Sequence, residues 1–307
     1  MNARFLEPLD VLFLRGNKLF GDAGSYGEAQ IPPWPSVVAG ALRSRMLADA
    51  GIDLAAFAAN RVEHSEFGTP EVPGVFTLTA FHLARKTEDL IEPLFAPPAD
   101  LVVETDNNGF CKATALCPFT APPGILSSYP LPRLPVLAQK ERSKPASGYW
   151  LNLEGWRQYL AGQIPNQTQY WVKSADLWAL EDRIGIGLND AIGSAKEGAL
   201  FTTQAIAFKA GVGFLATTNS QTMPEQGNLR LGGDGRAVAI RTASCTLPEP
   251  DYAAILKNRR CRLLLATPGI FPHGWLPTGA SGEATPQGIP FALHGVRARL
   301  VAAAVSR

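Results

Sequence analysis

Long apolar runs are missing from this sequence. None reaches the roughly 18 consecutive apolar residues that a membrane-spanning helix needs. The opening MNARFLEPLDVLFLRGNKLF sets Glu7, Asp10 and Arg15 inside what would have to be the apolar core of a secretory leader, so none is expected. Cysteine is scarce and scattered. Cys111, Cys117, Cys245 and Cys261 form no CxxC pair, which argues against a zinc site and predicts buried free thiols in a reducing cytoplasm. Histidine numbers only 4, with no HxH or HExxH spacing, so no metal is expected. Neither GxxxxGK[ST] nor GxGxxG occurs, which removes the P-loop and dinucleotide-binding enzymes, and no cofactor is expected.

What is present is a loop-rich globular composition, with 46% apolar residues, 29 glycines and 25 prolines in 307 residues. That length suits two domains. Net charge is +1, too small for a salt-driven, autonomous nucleic-acid binder. Its distribution is uneven. Residues 49–106 carry 3 basic and 11 acidic side chains, a net −8, whereas residues 107–307 carry 20 basic and 12 acidic, a net +8. Such a two-ended chain offers one surface to an anion and another to a basic protein, unless both are plain solvated faces.

The stretch RFLEPLDVLFLRG predicts a first strand kinked at Pro8, closed by a loop whose prolines continue neither strand nor helix. Ser36 is the expected N-cap of a helix burying Val38, Ala41, Leu42 and Met46 and stopping at Gly51. Arg45 falls within that stripe, where it either snorkels past the core edge or meets an anion. GVFTLTAFHLARK reads as a strand and DLIEPLFAPPADLVVE as a proline-broken strand pair. Leu116 to Pro145 holds seven prolines and reads as a seam, which divides the chain into domains 1–145 and 146–307. Beyond it, a helix is expected over Leu153–Leu160 and another over Tyr252–Lys257. GALFTTQAIAFKAGVGFLATT should be a strand pair turning near Gly211, and RRCRLLLATPGIF a strongly apolar strand. Short helices among many strands predict an α+β fold of two tandem ferredoxin-like (βαββαβ) domains with long loop insertions.

One segment carries concentrated chemistry. In LRLGGDGRAVAIR, Leu229 and Leu231 before the glycines and Val238 and Ile240 after them alternate as paired strands do. Two readings are open. The stretch is a plain hairpin turn, or Gly232, Gly233 and Gly235 bring backbone N–H groups to an anion while Arg230, Arg236 and Arg241 supply charge. A second segment, DRIGIGLNDAIGSAKEGALF, again sets cations (Arg183, Lys196) among glycines, as an anion contact or as a weakened strand and turn. No catalytic set emerges, since His64, His82, His273 and His294 are scattered and Glu181 and Asp182 are adjacent in sequence.

Taken in order, LEPLDVLFLRGNKLFG, PPWPSVVAGALRSRML, APPADLVV, KPASGYWL, RIGIGLN…AKEGALF, LRLGGDGR and LLLATPGIF…GWLP resemble the third-subunit family of the Cmr complex. That complex is the type III-B, RNA-targeting CRISPR effector. The resemblance spans Leu6 to Ser306. It implies a non-catalytic, repeat-associated subunit with RNA-recognition-like domains, the second carrying the glycine-rich loop. Such a subunit holds the 5′ tag of the CRISPR RNA in the cytoplasm, without a membrane. It sits beside the large polymerase-cyclase-like subunit and the backbone repeat-associated subunits, and meets target RNA only indirectly. On that reading Arg15, Lys18, Ser36, Arg43, Arg183, Lys196, Arg230, Gly232, Gly233, Asp234, Gly235 and Arg236 are the candidate RNA contacts, and the −8 region is a protein-docking face. The resemblance also implies further chain after the position of Arg307. Two rivals differ in class: a metal-independent repeat endoribonuclease using His64 or His82 as general base, and a purely structural docking subunit.

Overall fold

The structure, a computed structural model, describes residues 2–16, 26–88, 90–106, 111–125, 127–139, 144–189, 191–272, 274–280 and 283–305. In chain order the strands are β1 (Asn2–Pro8), β2 (Tyr26–Gly27), β3 (Leu78–Thr87), β4 (Leu90–Leu94), β5 (Leu101–Thr105), β6 (Cys111–Ala115), β7 (Cys117–Phe119), β8 (Leu134–Val136) and β9 (Tyr149–Leu151). They continue as β10 (Trp171–Lys173), β11 (Trp178–Leu188), β12 (Ala195–Phe208), β13 (Val212–Thr218), β14 (Gln226–Leu231), β15 (Arg236–Ala243), β16 (Ile289–Leu293) and β17 (Val296–Leu300). The α-helices are α1 (Pro35–Asp49), α2 (Leu54–Ala58), α3 (Leu153–Leu160) and α4 (Tyr252–Asn258). The architecture is a strand-rich α+β one with several sheets.

Two compact units form, Met1–Phe95 with Lys173–Pro248, and Ala96–Val172 with Glu249–Arg307. Each takes residues from both sides of residue 145. The cause in the first unit is β1, whose two hydrogen-bonded neighbours, β13 and β15, come from more than two hundred residues downstream.

The first unit is built on a six-stranded sheet in the order β14-β15-β1-β13-β3-β4, with every neighbouring pair antiparallel. Apolar residues alternate along β1, so Ala3 and Phe5 pack with Ala84 and Leu215 on one face while Leu6 is buried on the other. Central β13 is buried at every position, as its run of apolar and small residues requires. Since β1 and β3 are each antiparallel to β13 between them, they run parallel to one another. With α1 in the connection they make a split β-α-β crossing. From β13 the chain reaches β15 through the edge strand β14, where a βαββαβ domain would place its second helix.

Helix α1 buries Val38, Leu42 and Met46 as the periodicity predicts, together with Leu47. Ser36 is not its N-cap. Trp34 occupies that position and Pro35 the first helical one, where its fixed φ and missing N–H cost nothing, leaving Ser36 exposed one residue further in. Gly51, at φ +72°, follows the C-cap Ala50 and stops the helix. Arg45 pairs with Asp49 at 2.8 Å and donates to the Asn228 carbonyl of β14, so it fastens α1 to the sheet edge. Strands β12 and β13 do not pair around Gly211, contrary to the sequence pattern. β13 enters the six-stranded sheet, and β12 pairs with β11 in a long ribbon that β2 joins in parallel.

The second unit holds ribbons β5–β6, β7–β8 and β16–β17, with α3 after β9. Asn152 caps α3 by accepting from the Gly155 N–H at 2.9 Å. Ribbon β16–β17 closes through His294 and Gly295, both at positive φ as a two-residue turn demands. Among its described residues no sheet exceeds two strands, so the expected four-stranded ferredoxin-like sheet is not formed here. RRCRLLLATPGIF is not a strand either; among the described residues it pairs with no strand, and Leu265 stays 65% exposed. The glycine stretch expected in the C-terminal domain belongs instead to the unit of β1. Of the four cysteines Cys111 is buried and Cys245 half-buried, while Cys117 and Cys261 are exposed, which corrects the expectation of uniformly buried cysteines.

Candidate nucleic-acid interface

The glycine segment is a β-hairpin whose register runs from Gln226↔Arg241 to Leu231↔Arg236. Leu229, Leu231, Val238 and Ile240 are buried, so the alternation is real and the register is fixed by it. Gly232, Asp234 and Gly235 take φ of +74°, +58° and +56°, which bends the chain back within four residues. The turn rests on Phe13. The Gly233 N–H donates to the Phe13 carbonyl at 2.8 Å, and a Cβ on Gly232 would lie 2.6 Å from that oxygen. Gly233 therefore spends its backbone donor internally and cannot offer it to a phosphate.

Phe13 gathers charge as well. The Arg236 guanidinium stands 5.2 Å from its ring centroid and that of Arg183, from β11, 5.8 Å from it. Arg236 also pairs with Asp10 at 2.9 Å and, more loosely, with Asp234 at 3.9 Å. Arg183 pairs with Glu181 at 3.1 Å. Arg230 is exposed on β14, and its stem lies beside Gly235, where a Cβ would meet Cδ at 3.2 Å. The result is a half-buried aromatic ring attended by two guanidiniums, each held by a carboxylate that an incoming anion would displace.

The remaining candidates divide. Arg15 follows Phe13 closely and bridges Ala29 through its backbone. Lys18 lies outside the described residues. Lys196 is on β12, seven residues along the strand from Thr203, the partner of Arg183, or about 23 Å at 3.3 Å per residue. Ser36 is on α1, and Arg43, also on α1, faces the Phe76 ring at 6.0 Å. Among the described residues neither meets the hairpin turn. Sequence reasoning missed Phe13 and Asp10. A half-buried Phe between buried Leu12 and Leu14 was the available signal, but nothing local ties it to residues 183 and 236.

Two of the histidines pack on aromatic rings, and His294 sits exposed in the β16–β17 turn. His64 stacks on Phe67 at 4.5 Å, and its Nδ1 accepts the Glu66 N–H at 3.2 Å. His82 packs on Phe95 at 4.8 Å, and burial lowers its pKa to about 4. His273 lies outside the described residues. Among the described residues no group of His, Cys, Asp or Glu is placed to hold a metal ion, and no helix is long and apolar enough to cross a membrane.

Fold and cluster together define an α+β protein whose glycine hairpin and ribbon bring an arginine pair onto one aromatic ring. The family model of the CRISPR-associated protein Cas_Cmr3 matches residues 4–307. The chain belongs to the Cas_Cmr3 family. No curated protein matches it significantly. Among solved structures, it is similar to a chain of the type III-B Cmr-beta complex bound to cognate target RNA and AMPPnP, at 13% identity and TM-score 0.39, over 80% of this chain and 64% of that one. It thus spans less than two thirds of that relative's length. A Cmr-beta chain in a complex bound to cognate target RNA gives 13% identity and TM-score 0.39 over 84% of this chain and 74% of that one. A chain of the apo state gives 13% and 0.34 over 78% and 96%.

Proposed function

We propose that the chain is a non-catalytic subunit of a type III-B CRISPR–Cas (Cmr) effector ribonucleoprotein. It holds the 5′ tag of the CRISPR RNA and docks the large polymerase-cyclase-like subunit beside the backbone repeat-associated subunits. The observation that carries this reading is the convergence of Arg183 and Arg236 at the glycine turn, in a chain of the Cas_Cmr3 family. Cations gathered beside a glycine turn suit a nucleic-acid strand held by position rather than by base identity. The split β-α-β crossing supports reading the first unit as a modified ferredoxin-like domain, with β14 in place of the second helix. Histidines packed on Phe67 and Phe95 support a binding role over general-base catalysis. The acidic stretch 49–106, by its charge alone, remains the candidate for docking a basic protein partner.

Particles assembled with the parent chain or with the Arg183→Ala/Arg236→Ala chain, probed by ribonuclease on an end-labelled CRISPR RNA, test the reading. The tag should be protected by the parent chain and cleaved in particles carrying the variant. Equal protection in both would contradict the assigned contacts.

A further inference from the structure

Three separate pieces of chain meet at Phe13: the segment after β1 that carries the ring, the ribbon strand β11 that carries Arg183, and strand β15 that carries Arg236. We infer that Phe13 is a positioning residue that sets these two arginines as a paired clamp for nearby phosphates of one RNA strand. The inference rests on the RNA-binding reading above and deepens it.

The geometry limits the clamp. Guanidinium carbons 5.2 and 5.8 Å from one ring centroid are no more than about 11 Å apart. A stacked single strand advances about 3.4 Å per charge, so both cations fall within about three nucleotides. Their spacing belongs to neither strand alone. Arg183 is one of several exposed residues on a ribbon, and Arg236 opens the strand that follows the glycine turn. Backbone bonds between Leu12 and Ile206, 2.9 Å in each direction, tie this segment to the ribbon, and the shared ring then sets one guanidinium against the other through cation–π attraction to its face. The Gly233 N–H bond to the Phe13 carbonyl locks the same residue to the hairpin at 2.8 Å. A ring held by its backbone on one strap and touched by a cation from another element couples hairpin to ribbon.

The carboxylates act as competitors. Asp10 and Glu181 are exposed and each occupies one guanidinium, at 2.9 and 3.1 Å. Arginine has five donors, so a phosphate can replace the carboxylate without displacing the cation from the ring. Removing the Asp10 charge should therefore tighten RNA binding, although Asp10 touches no ligand in the proposed complex.

The test uses the full chain and a fluorescein-labelled single-stranded RNA bearing the tag sequence, titrated by anisotropy over a salt series. Each phosphate contact on a single strand contributes about 0.7 to the slope of log affinity against log salt. Arg183→Ala and Arg236→Ala should each lower the slope by about 0.7, and the double variant by about 1.4. Phe13→Leu should lose about as much slope as the double variant, while Phe13→Tyr, which keeps the ring, should retain the parent slope. Asp10→Asn should tighten binding several-fold. If the double variant keeps the parent slope, the assignment of these arginines as RNA contacts fails, and the inference with it. If the double variant loses slope and Phe13→Leu does not, the inference alone fails.

Discussion

Gly232 and His82 show how single positions carry conditions that no pattern displays. At Gly232 a left-handed φ coincides with a carbonyl 2.6 Å from where a Cβ would stand. Gly232→Ala should therefore lift the turn off Phe13, and hydrogen exchange at the Gly233 amide should accelerate at least tenfold. An unchanged rate would show that the turn tolerates a side chain. Gly233→Val is a less informative change, because its Cβ would press on Phe13 Cβ at 3.3 Å and disturb the ring directly. His82 offers a pH test. Its folded pKa is about 4, lowered by burial from the usual 6.5. The unfolded chain takes up the proton first, so stability is full above pH 6.5 and falls until about pH 4, by at most about 3 kcal/mol. Thermal midpoints at pH 7 and 4.5 should differ less for His82→Leu than for the parent. An equal fall in both would remove His82 from the account.

The β11–β12 ribbon has two faces of opposite character. On the face of Arg183, the Phe201 ring lies across Gly185, where a Cβ would meet it at 2.3 Å. On the other face, Ile184, Ile186, Leu188 and Leu200 are exposed, Ile184 by 75%. Substituting these aliphatics should leave the isolated chain intact. Ile184→Ser should change its stability by less than about 0.5 kcal/mol, whereas Gly185→Leu should displace Phe201 and lower the thermal midpoint clearly. A large loss from Ile184→Ser would mean that this face packs against the chain itself. Elements of this kind were legible in part. The hairpin, α1 and α3 were readable because their signals are local, a period of two or of 3.6 with turn or cap residues at the ends. The separation of β12 from β13 was not, since a shared turn at Gly211 says nothing about which strands each will meet. RRCRLLLATPGIF failed for the same reason: an apolar run specifies a strand only where a neighbouring strand exists.

Over the whole chain, sequence distance set the limit of what could be read. The division at residue 145 followed a proline-rich seam, whereas β1 joins β13 and β15 across more than two hundred residues and pulls the glycine hairpin into its own unit. Phe13 was invisible for the same reason, having its meaning only beside Arg183 and Arg236. Charge, by contrast, was fully legible, and the structure sharpens its consequence. With a net charge of +1 and Arg183, Arg236, Arg45 and Arg241 each paired to a carboxylate, the isolated chain should bind single-stranded RNA weakly at physiological salt. Tight binding should appear only when neighbouring subunits complete the groove. Nanomolar binding by the chain alone, measured by anisotropy at physiological salt, would contradict that division of labour. The central claim, that this chain holds the tag, is tested most directly by crosslinking a CRISPR RNA with a photoreactive base in the tag within the assembled particle and sequencing the crosslinked peptides. The account predicts crosslinks in the Leu229–Arg241 hairpin and the adjoining Asp10–Arg15 segment; a tag crosslinked solely to other subunits would contradict it.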